Sequence, residues 1–420
     1  MKFIHTADIH LDSPLRGLTR YPGAPAEEIR GATREALKNL VKLAIDESVD
    51  FVIIAGDVYD GDWRDYNTGL FFVEQMLRLD RANIPVYLLK GNHDAKCQIT
   101  KFLELPKNVH EFDTKKPNTF TIEPLKVALH GQGYHTQAVL ENLAIAYPPP
   151  RDGYFNIGVL HTSATGREGH ENYAPCGLAD LLAKNYDYWA LGHVHNREIL
   201  NESPYIIFSG NLQGRHIRET GEKGCTIVSV DNGGTATITH HAVDVLRWAH
   251  WTIDLPTTAD IDEAIEIIRL KAEEGIERLG VTKLAVRMTL TGACPAHAEI
   301  NTMPDRFETQ VRQVLLEAGH GALWLEKLRI KTRMVISLDL IEERTDFIGD
   351  LYRTCRNLAV DLEQQTGLLP YFSDLAGKIP SELKSGAEPL DPTRPDFILQ
   401  ILPEVQEELL TRLLISETPA

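Results

Sequence analysis

The chain is poor in cysteine, and its cysteines are not spaced for pairing. Cys97, Cys176, Cys225, Cys294 and Cys355 are the five in 420 residues. Their number is odd and no two form a C-x-x-C. That excludes a disulfide framework and a thiolate zinc site, leaving reduced, mostly buried thiols as the expectation. Long apolar runs are also missing. No stretch approaches the roughly 18 residues that cross a bilayer, so no membrane segment is expected. The start, Met1–Asp8, lacks the apolar core of a signal peptide. A cleaved leader would also remove Asp8 and His10, whose importance is argued below, so a cytoplasmic protein is expected. No G-x-x-x-x-G-K-[ST] occurs, so any ATP dependence must come from a partner.

Positive charge is scarce as well. Lys and Arg number 43 against 60 Asp and Glu, a formal net charge of −17. Nucleic-acid binding normally uses a basic face, so this balance counts against it. Two points soften that reading. Metal ligands are themselves acidic, and bound cations reverse the local field. The acidity is also uneven: residues 1–245 hold 24 Lys and Arg against 31 Asp and Glu, the remainder 19 against 29. The more acidic remainder suits a basic partner.

What the chain does have is five short polar runs, each closing an apolar stretch. They are Asp8-Ile9-His10, Gly56-Asp57-Val58-Tyr59-Asp60, Gly91-Asn92-His93-Asp94, His161 after Val159-Leu160, and Gly192-His193-Val194-His195. Polar groups at several strand ends of one sheet converge on one face, which points to a hydrolytic metal centre. Hard oxygen ligands, imidazoles and one shared ligand are what two ions need. Asp8 and His10 stand two apart in extended chain and point the same way, so both can hold one ion. Asp57 can bridge two ions with its two oxygens, and Gly56 frees the turn before it. Asn92, His161 and His193 suit the second ion, and His195 returns to the first. His93 is left over. A spare imidazole beside a bound phosphate can give a proton to the leaving oxygen. Asp12 and Asp94 are expected to orient a histidine or cap a turn.

The pattern around these runs alternates. Lys2–Ala7, Asp50–Ala55 and Pro85–Leu89 read as strands. Glu27–Glu47 and Thr68–Leu79 have helical spacing between them. Seven further strands with short links lie between Thr119 and His240, with Asp231-Asn232-Gly233-Gly234 as a hairpin turn, and a second sheet packed on the first would make a sandwich. The fold class is therefore α/β, a two-sheet sandwich flanked by helices, over residues 1–245. Residues 246–330 read as a small α/β capping domain. Residues 331–420 read as a helical region in which Leu338–Gln365 forms one or two helices, Ser373–Asp396 is a linker, and Phe397–Ile415 is a helix. The apolar face of that last helix either folds back or docks on a partner.

The five runs resemble those of the calcineurin-like metallophosphoesterase superfamily. The opening Lys2-Phe3-Ile4-His5-Thr6-Ala7-Asp8-Ile9-His10-Leu11-Asp12 is similar to the SbcD-like DNA-repair exonuclease branch. The runs Gly56–Trp63 and Ser209–Glu219 are similar to bacterial YhaO-type members. The resemblance implies Mn²⁺-dependent cleavage of DNA phosphodiesters, a capping domain, an SMC-like ABC ATPase partner and a homodimer. Many nucleases of this branch carry a second histidine three residues after the bridging aspartate. Here that position is Asp60, so phosphate stabilisation should rest on His93, the metals or a basic rim. Arg215, His216, Arg218 and Lys223 are the candidates for that rim, and Trp63 and Tyr66 for stacking a base. The alternatives on the same residues are a small-molecule phosphodiesterase or phosphatase, and a scaffold for the ATPase.

Overall fold

The structure is a computed structural model. It describes residues 1–13, 26–60, 66–96, 104–164, 173–279, 283–335, 338–361, 367, 369–379, 392 and 395–417. The chain divides into two compact units. The first comprises Met1–Trp251, Ala272–Met288 and Leu315–Lys327, the second Thr252–Lys271, Thr289–Val314 and Leu328–Ala420.

Two six-stranded sheets form the heart of the first unit. The first contains β1 (Lys2–Thr6), β2 (Phe51–Ile54), β3 (Val86–Leu88), β4 (Val109–Glu111), β11 (Gly224–Val230) and β12 (Ala236–Ala242), in the order β12-β11-β1-β2-β3-β4. The second contains β5 (Asn118–Ile122), β6 (Val127–Gly131), β7 (Phe155–His161), β8 (Tyr188–Gly192), β9 (Glu198–Glu202) and β10 (Tyr205–Phe208), in the order β5-β6-β7-β8-β10-β9. Side chains alternate across each strand, so each sheet has two apolar faces to cover. Phe3, Phe51 and Ile53 face Val127, Ile157, Tyr188 and Ile207 between the sheets. Ile4, Val52 and Ile54 point the other way, onto Ala36, Leu37 and Leu40 of α1 (Ala26–Asp46) and Phe72 and Met76 of α2 (Tyr66–Arg81). On the far side of the second sheet, Trp189, Leu191 and Phe208 are covered by Leu143, Tyr147 and Leu181.

Topology then decides where the polar runs go. β1 is parallel to β2 and β2 to β3, while β7 is parallel to β8. All five runs stand at or just past the carboxyl ends of these strands, with His161 the last residue of β7 and Gly192 the last of β8. The expected turn at Asp231 is present: its Oδ1 accepts from the Gly233 and Thr235 amides at 2.8 and 2.9 Å. The short elements β4, β9, α3 (Asn92–Lys96) and α4 (Leu178–Leu182) were not expected. At three to five residues each, they carry too few apolar positions to show a period.

A third sheet has the order β13-β14-β15, formed by β13 (Leu246–Asp254), β14 (Lys283–Ala293) and β15 (Leu323–Arg333). Between its strands the sequence forms α5 (Ile261–Leu279), α6 (Ala296–Thr302) and α7 (Pro304–Ala318). In the second unit Ala264, Ile268, Leu290, Ile300, Phe307 and Val311 are fully or almost fully buried. The stretch Leu338–Gln365 resolves into α8 (Leu338–Glu342) and α9 (Phe347–Val360), separated where Asp346 caps α9 by accepting from the Gly349 amide at 3.1 Å. The expected linker is in part helical, at Ser373–Lys378, and the last helix begins at Pro395. Residues 380–391 lie outside the described set. The last helix, Pro395–Glu417, folds back in cis: Leu410 packs with Ile341, Ile348 and Tyr352. Among the described residues no helix is long and apolar enough to cross a membrane.

One buried histidine couples the sandwich to pH. His5 is wholly enclosed, with Nε2 donating to the Leu191 carbonyl at 3.2 Å and Nδ1 accepting from Tyr188 Oη at 3.0 Å. Burial, helped by the charge of Arg197, drops its pKa to about 3. The unfolded chain therefore takes up this proton first, near pH 6.5, and stability falls from there toward pH 3. The stability advantage of the wild type over His5→Gln should shrink by about 2 kcal/mol between pH 7 and pH 5. Denaturant titrations of both proteins across that range check it; an unchanged difference would refute it.

Candidate metal centre

The loops after β1 and β2 run side by side past the end of the sheet. Asp8 N donates to Gly56 O, His10 N to Asp57 O and Leu11 N to Val58 O, at 3.0, 3.0 and 2.8 Å. These bonds hold an unusual backbone. Asp8, His10, Asp57 and His193 all have positive φ, at 51°, 45°, 55° and 101°. For residues with a Cβ this costs roughly 1–3 kcal/mol each, a cost that persists where the surroundings over-determine the conformation. Two glycines make room. A Cβ on Gly56, itself at φ 97°, would stand 2.5 Å from His161 Nδ1, and one on Gly91 would stand 2.2 Å from Asp57 Oδ1.

The seven expected ligands come together. Ligand atoms of Asp8, His10 and His195 lie within 4.8 Å of one another, and so do those of Asp57, His161 and His193. Asp57 Oδ2 stands between the two groups, 3.4 Å from His161 Nε2 and 3.9 Å from His10 Nε2. Asn92 Oδ1 is 2.9 Å from His161 Nε2. The donor set fits divalent cations on its own chemistry. His10 Nε2 and His195 Nε2 face each other at 3.1 Å, and the His10 Nδ1 atom is buried without a hydrogen bond. Two imidazole nitrogens at that distance can share a proton or turn both lone pairs toward a cation, and the two enclosed carboxylates beside them favour the cation.

Neighbours fix which ring nitrogen faces inward. His161 Nδ1 donates to the Ala55 carbonyl at 2.9 Å, and His195 Nδ1 to Glu219 Oε1 at 2.7 Å, leaving each Nε2 for the centre. The electrostatics follow from crowding. Burial opposes a charged His161, but the Asp57 carboxylate overrides it and lifts the ring to about 9. Burial drives Asp8 up and His10 well down, the latter helped by Arg215 and His195. Asp94 is pushed up to about 7 by burial and the nearby Asp57 charge. Its carboxylate caps a turn, accepting from the Val58, Tyr59 and Gly91 amides at 3.2, 2.9 and 3.1 Å. Asp12 ties α1 and α2 together through Arg34 and Thr68.

His93 is about one-third exposed, and its Nδ1 lies 2.9 Å from Asp60 Oδ1. Burial works against a charged ring here, but the Asp60 hydrogen bond, with the Asp57 charge, raises its pKa above the ordinary value. Ser13 Oγ donates to the other Asp60 oxygen at 2.6 Å. Asp60 thus partners the spare imidazole.

The expected rim separates into two pairs. His216 and Arg218 are exposed. Arg215 is drawn into the centre, its Nη1 3.8 Å from Asp60 Oδ2 and its Nη2 3.3 Å from Glu219 Oε1. Lys223 is 4% exposed, and its ammonium turns inward to His195 O at 3.1 Å and Asn196 Oδ1 at 3.2 Å. It holds the loop that carries the histidines. Tyr66 is exposed at the start of α2; Trp63 lies outside the described residues. Glu219 closes the Ser209–Glu219 run and is not among the candidate site residues of the sequence. It is the hub: besides His195, it accepts from Arg215 N at 2.7 Å and Asn211 Nδ2 at 3.0 Å. Its place at the end of the Ser209–Glu219 run was the available signal.

The two sheets, and the convergence of carboxylates and imidazoles at their strand ends, define a metallophosphoesterase. The chain belongs to the calcineurin-like phosphoesterase family. That family matches residues 1–197, and the family described as metallophosphoesterase YhaO, middle domain, matches residues 248–333. Over 301 residues the chain is 36% identical to the uncharacterized metallophosphoesterase YhaO of Bacillus subtilis (strain 168), covering 70% of this chain and 72% of that one. It is 27% identical over 261 residues to a subunit of the nuclease SbcCD from Staphylococcus saprophyticus, covering 55% and 66%. It is 23% identical over 357 residues to the DNA double-strand break repair protein Mre11 of Methanopyrus kandleri, covering 76% and 72%.

Glu219→Gln keeps the size of a buried side chain but removes the charge that orients His195. If Asp8, His10 and His195 bind one ion, the variant should weaken that site by about 10–100-fold relative to the wild type and leave the second site unchanged. Mn²⁺ titration of both proteins checks it; two affinities unchanged from the wild type would refute the expectation.

Proposed function

We propose that the protein is a metal-dependent nuclease that hydrolyses DNA phosphodiesters in repair and works with an SMC-like ABC ATPase. The observation that carries this reading is the convergence of Asp8, His10, Asp57, Asn92, His161, His193 and His195 beside the partly exposed His93–Asp60 pair. Asp8, His10 and His195 would hold one ion and Asn92, His161 and His193 the other, with Asp57 available to both. Such ions, proposed as Mn²⁺, would supply Lewis acidity and a water nucleophile. The chain's own residues do the rest. Ala55 and Glu219 lock the rings of His161 and His195. Asp60, accepting from Nδ1, favours the doubly protonated His93 ring, so its Nε2 proton is the one given to the departing oxygen, leaving the ring neutral. Arg215 adds a positive charge beside Asp60, facing the same space. The missing second histidine is therefore answered by a carboxylate that keeps the first one charged.

The choice of DNA is supported by the relatives named as part of a nuclease and as a double-strand break repair protein. That the first of these is named as one subunit among others also supports a partner. A homodimer in the cytoplasm, with residues 1–245, 246–330 and 331–420 as catalytic, capping and partner-facing parts, completes the proposal.

With Mn²⁺, the purified protein should degrade linear DNA, and Asp57→Ala should abolish this. Turnover of bis-p-nitrophenyl phosphate with linear, nicked and hairpin DNA left intact, alone and with the ATPase, would defeat the nuclease reading. His93→Ala should keep both ions and lose about 10²–10⁴-fold in turnover; loss of metal would defeat the proton-donor role. Activity needs His93 protonated, so it should fall as pH rises through the raised His93 pKa. Asp60→Asn removes the negative charge on the partner of His93 while leaving it an acceptor oxygen, so the alkaline limb should move to lower pH. A limb that stays in place would separate it from His93.

A further inference from the structure

We propose that the outer strand β15 binds a single nucleic-acid strand, whose phosphates are met in turn by Arg329, Lys331 and Arg333. In the third sheet β15 lies at one end of the order β13-β14-β15, so one of its edges is unpaired within that sheet. Arg329, Lys331 and Arg333 are exposed, while Leu328, Ile330 and Thr332 between them are half-buried or buried. The three cations therefore share one side of the strand. Alternate residues of a strand stand about 6.6 Å apart, a repeat that a polynucleotide backbone can follow phosphate by phosphate.

Two observations raise this above an ordinary charged edge. First, Arg329 and Lys331 have no carboxylate within ion-pair distance among the described residues. Elsewhere in the second unit arginines pair readily: Arg269 with Glu266, Arg312 with Glu308, Arg344 with Asp346 and Arg353 with Asp350. In a chain with 60 acidic against 43 basic side chains, unpaired neighbouring cations are a local reversal. Second, the ladder ends at a cavity of about 550 Å³, where Arg333 and Arg356 share the wall with Met334, Val335 and Leu410. Apolar walls beside cations suit an unpaired base next to its phosphate, which favours a single strand over a duplex.

The phosphodiesterase reading enters only in choosing nucleic acid as the polyanion, and the test keeps the two apart. Binding of a labelled thymidine oligonucleotide to the full chain is followed by fluorescence anisotropy in EDTA, across a range of salt. Arg329→Glu/Lys331→Glu should bind at least about ten-fold more weakly. The slope of log affinity against log salt should fall by about 1.4, two phosphates at about 0.7 each. Mn²⁺-dependent turnover of bis-p-nitrophenyl phosphate should be unchanged, and so should the melting temperature. If the charge reversal lowers melting, Arg329→Gln/Lys331→Gln should still reduce affinity and slope in the same direction. Unchanged affinity and slope would overturn the proposal. Displacement of the oligonucleotide by polyglutamate at equal concentration would also overturn it, marking a surface for an acidic protein; so would preferential displacement by duplex DNA. Failure of the nuclease reading would appear elsewhere, as DNA left intact with Mn²⁺ despite normal binding in EDTA.

Discussion

The first unit is organised around a buried carboxylate. Asp57 is about 1% exposed at the end of a strand whose four residues are themselves buried. A charge in such a place is costly unless it is answered from several sides. The His93 amide donates to Oδ1 at 2.9 Å, and imidazoles approach Oδ2 from the loop after β1 and from the last residue of β7. The two strands belong to different sheets. The site thus ties the open end of the sandwich together while the apolar core holds its middle.

The same concentration of charge explains the strained backbone. Direct bonds between the first two loops, and His193 N donating to both Asp8 oxygens at 3.1 and 2.9 Å, offset the cost of the left-handed residues. A conformation held this way is set before substrate arrives, which is what electrostatic stabilisation of a phosphoryl centre requires. Surrounding groups then divide the labour. Glu219 and Ala55 orient rings, Asp94 caps a turn, Lys223 secures the histidine loop, and Asp60 governs the charge of His93. None of them needs to touch a metal to affect its affinity.

The second unit follows a different logic. Its helices bury one another through a few large side chains, with Leu410 closing over Tyr352. The last helix therefore folds back through Leu410 while leaving Val405 and Leu409 partly exposed. Periodicity marked that helix but could not choose its mate, because an apolar face fits a neighbour in cis or in trans equally well.

Sequence by itself determined the five polar runs, their order and the strands before them. Each is local: an apolar run, in three cases a glycine, then oxygen and nitrogen donors within a few residues. It also determined the alternation of strands and helices that makes parallel pairing possible. What only the tertiary structure decided is how distant residues divide their roles. Glu219 lies 24 residues from His195, and Asp60 lies 33 from His93; no spacing rule connects them. Lys223 and Arg215 look alike in a string of basic residues. Burial decides that one holds a loop and the other stands beside the centre. The physical reason is that ligand type is a property of a side chain, whereas orientation, charge state and exposure are properties of what folds against it.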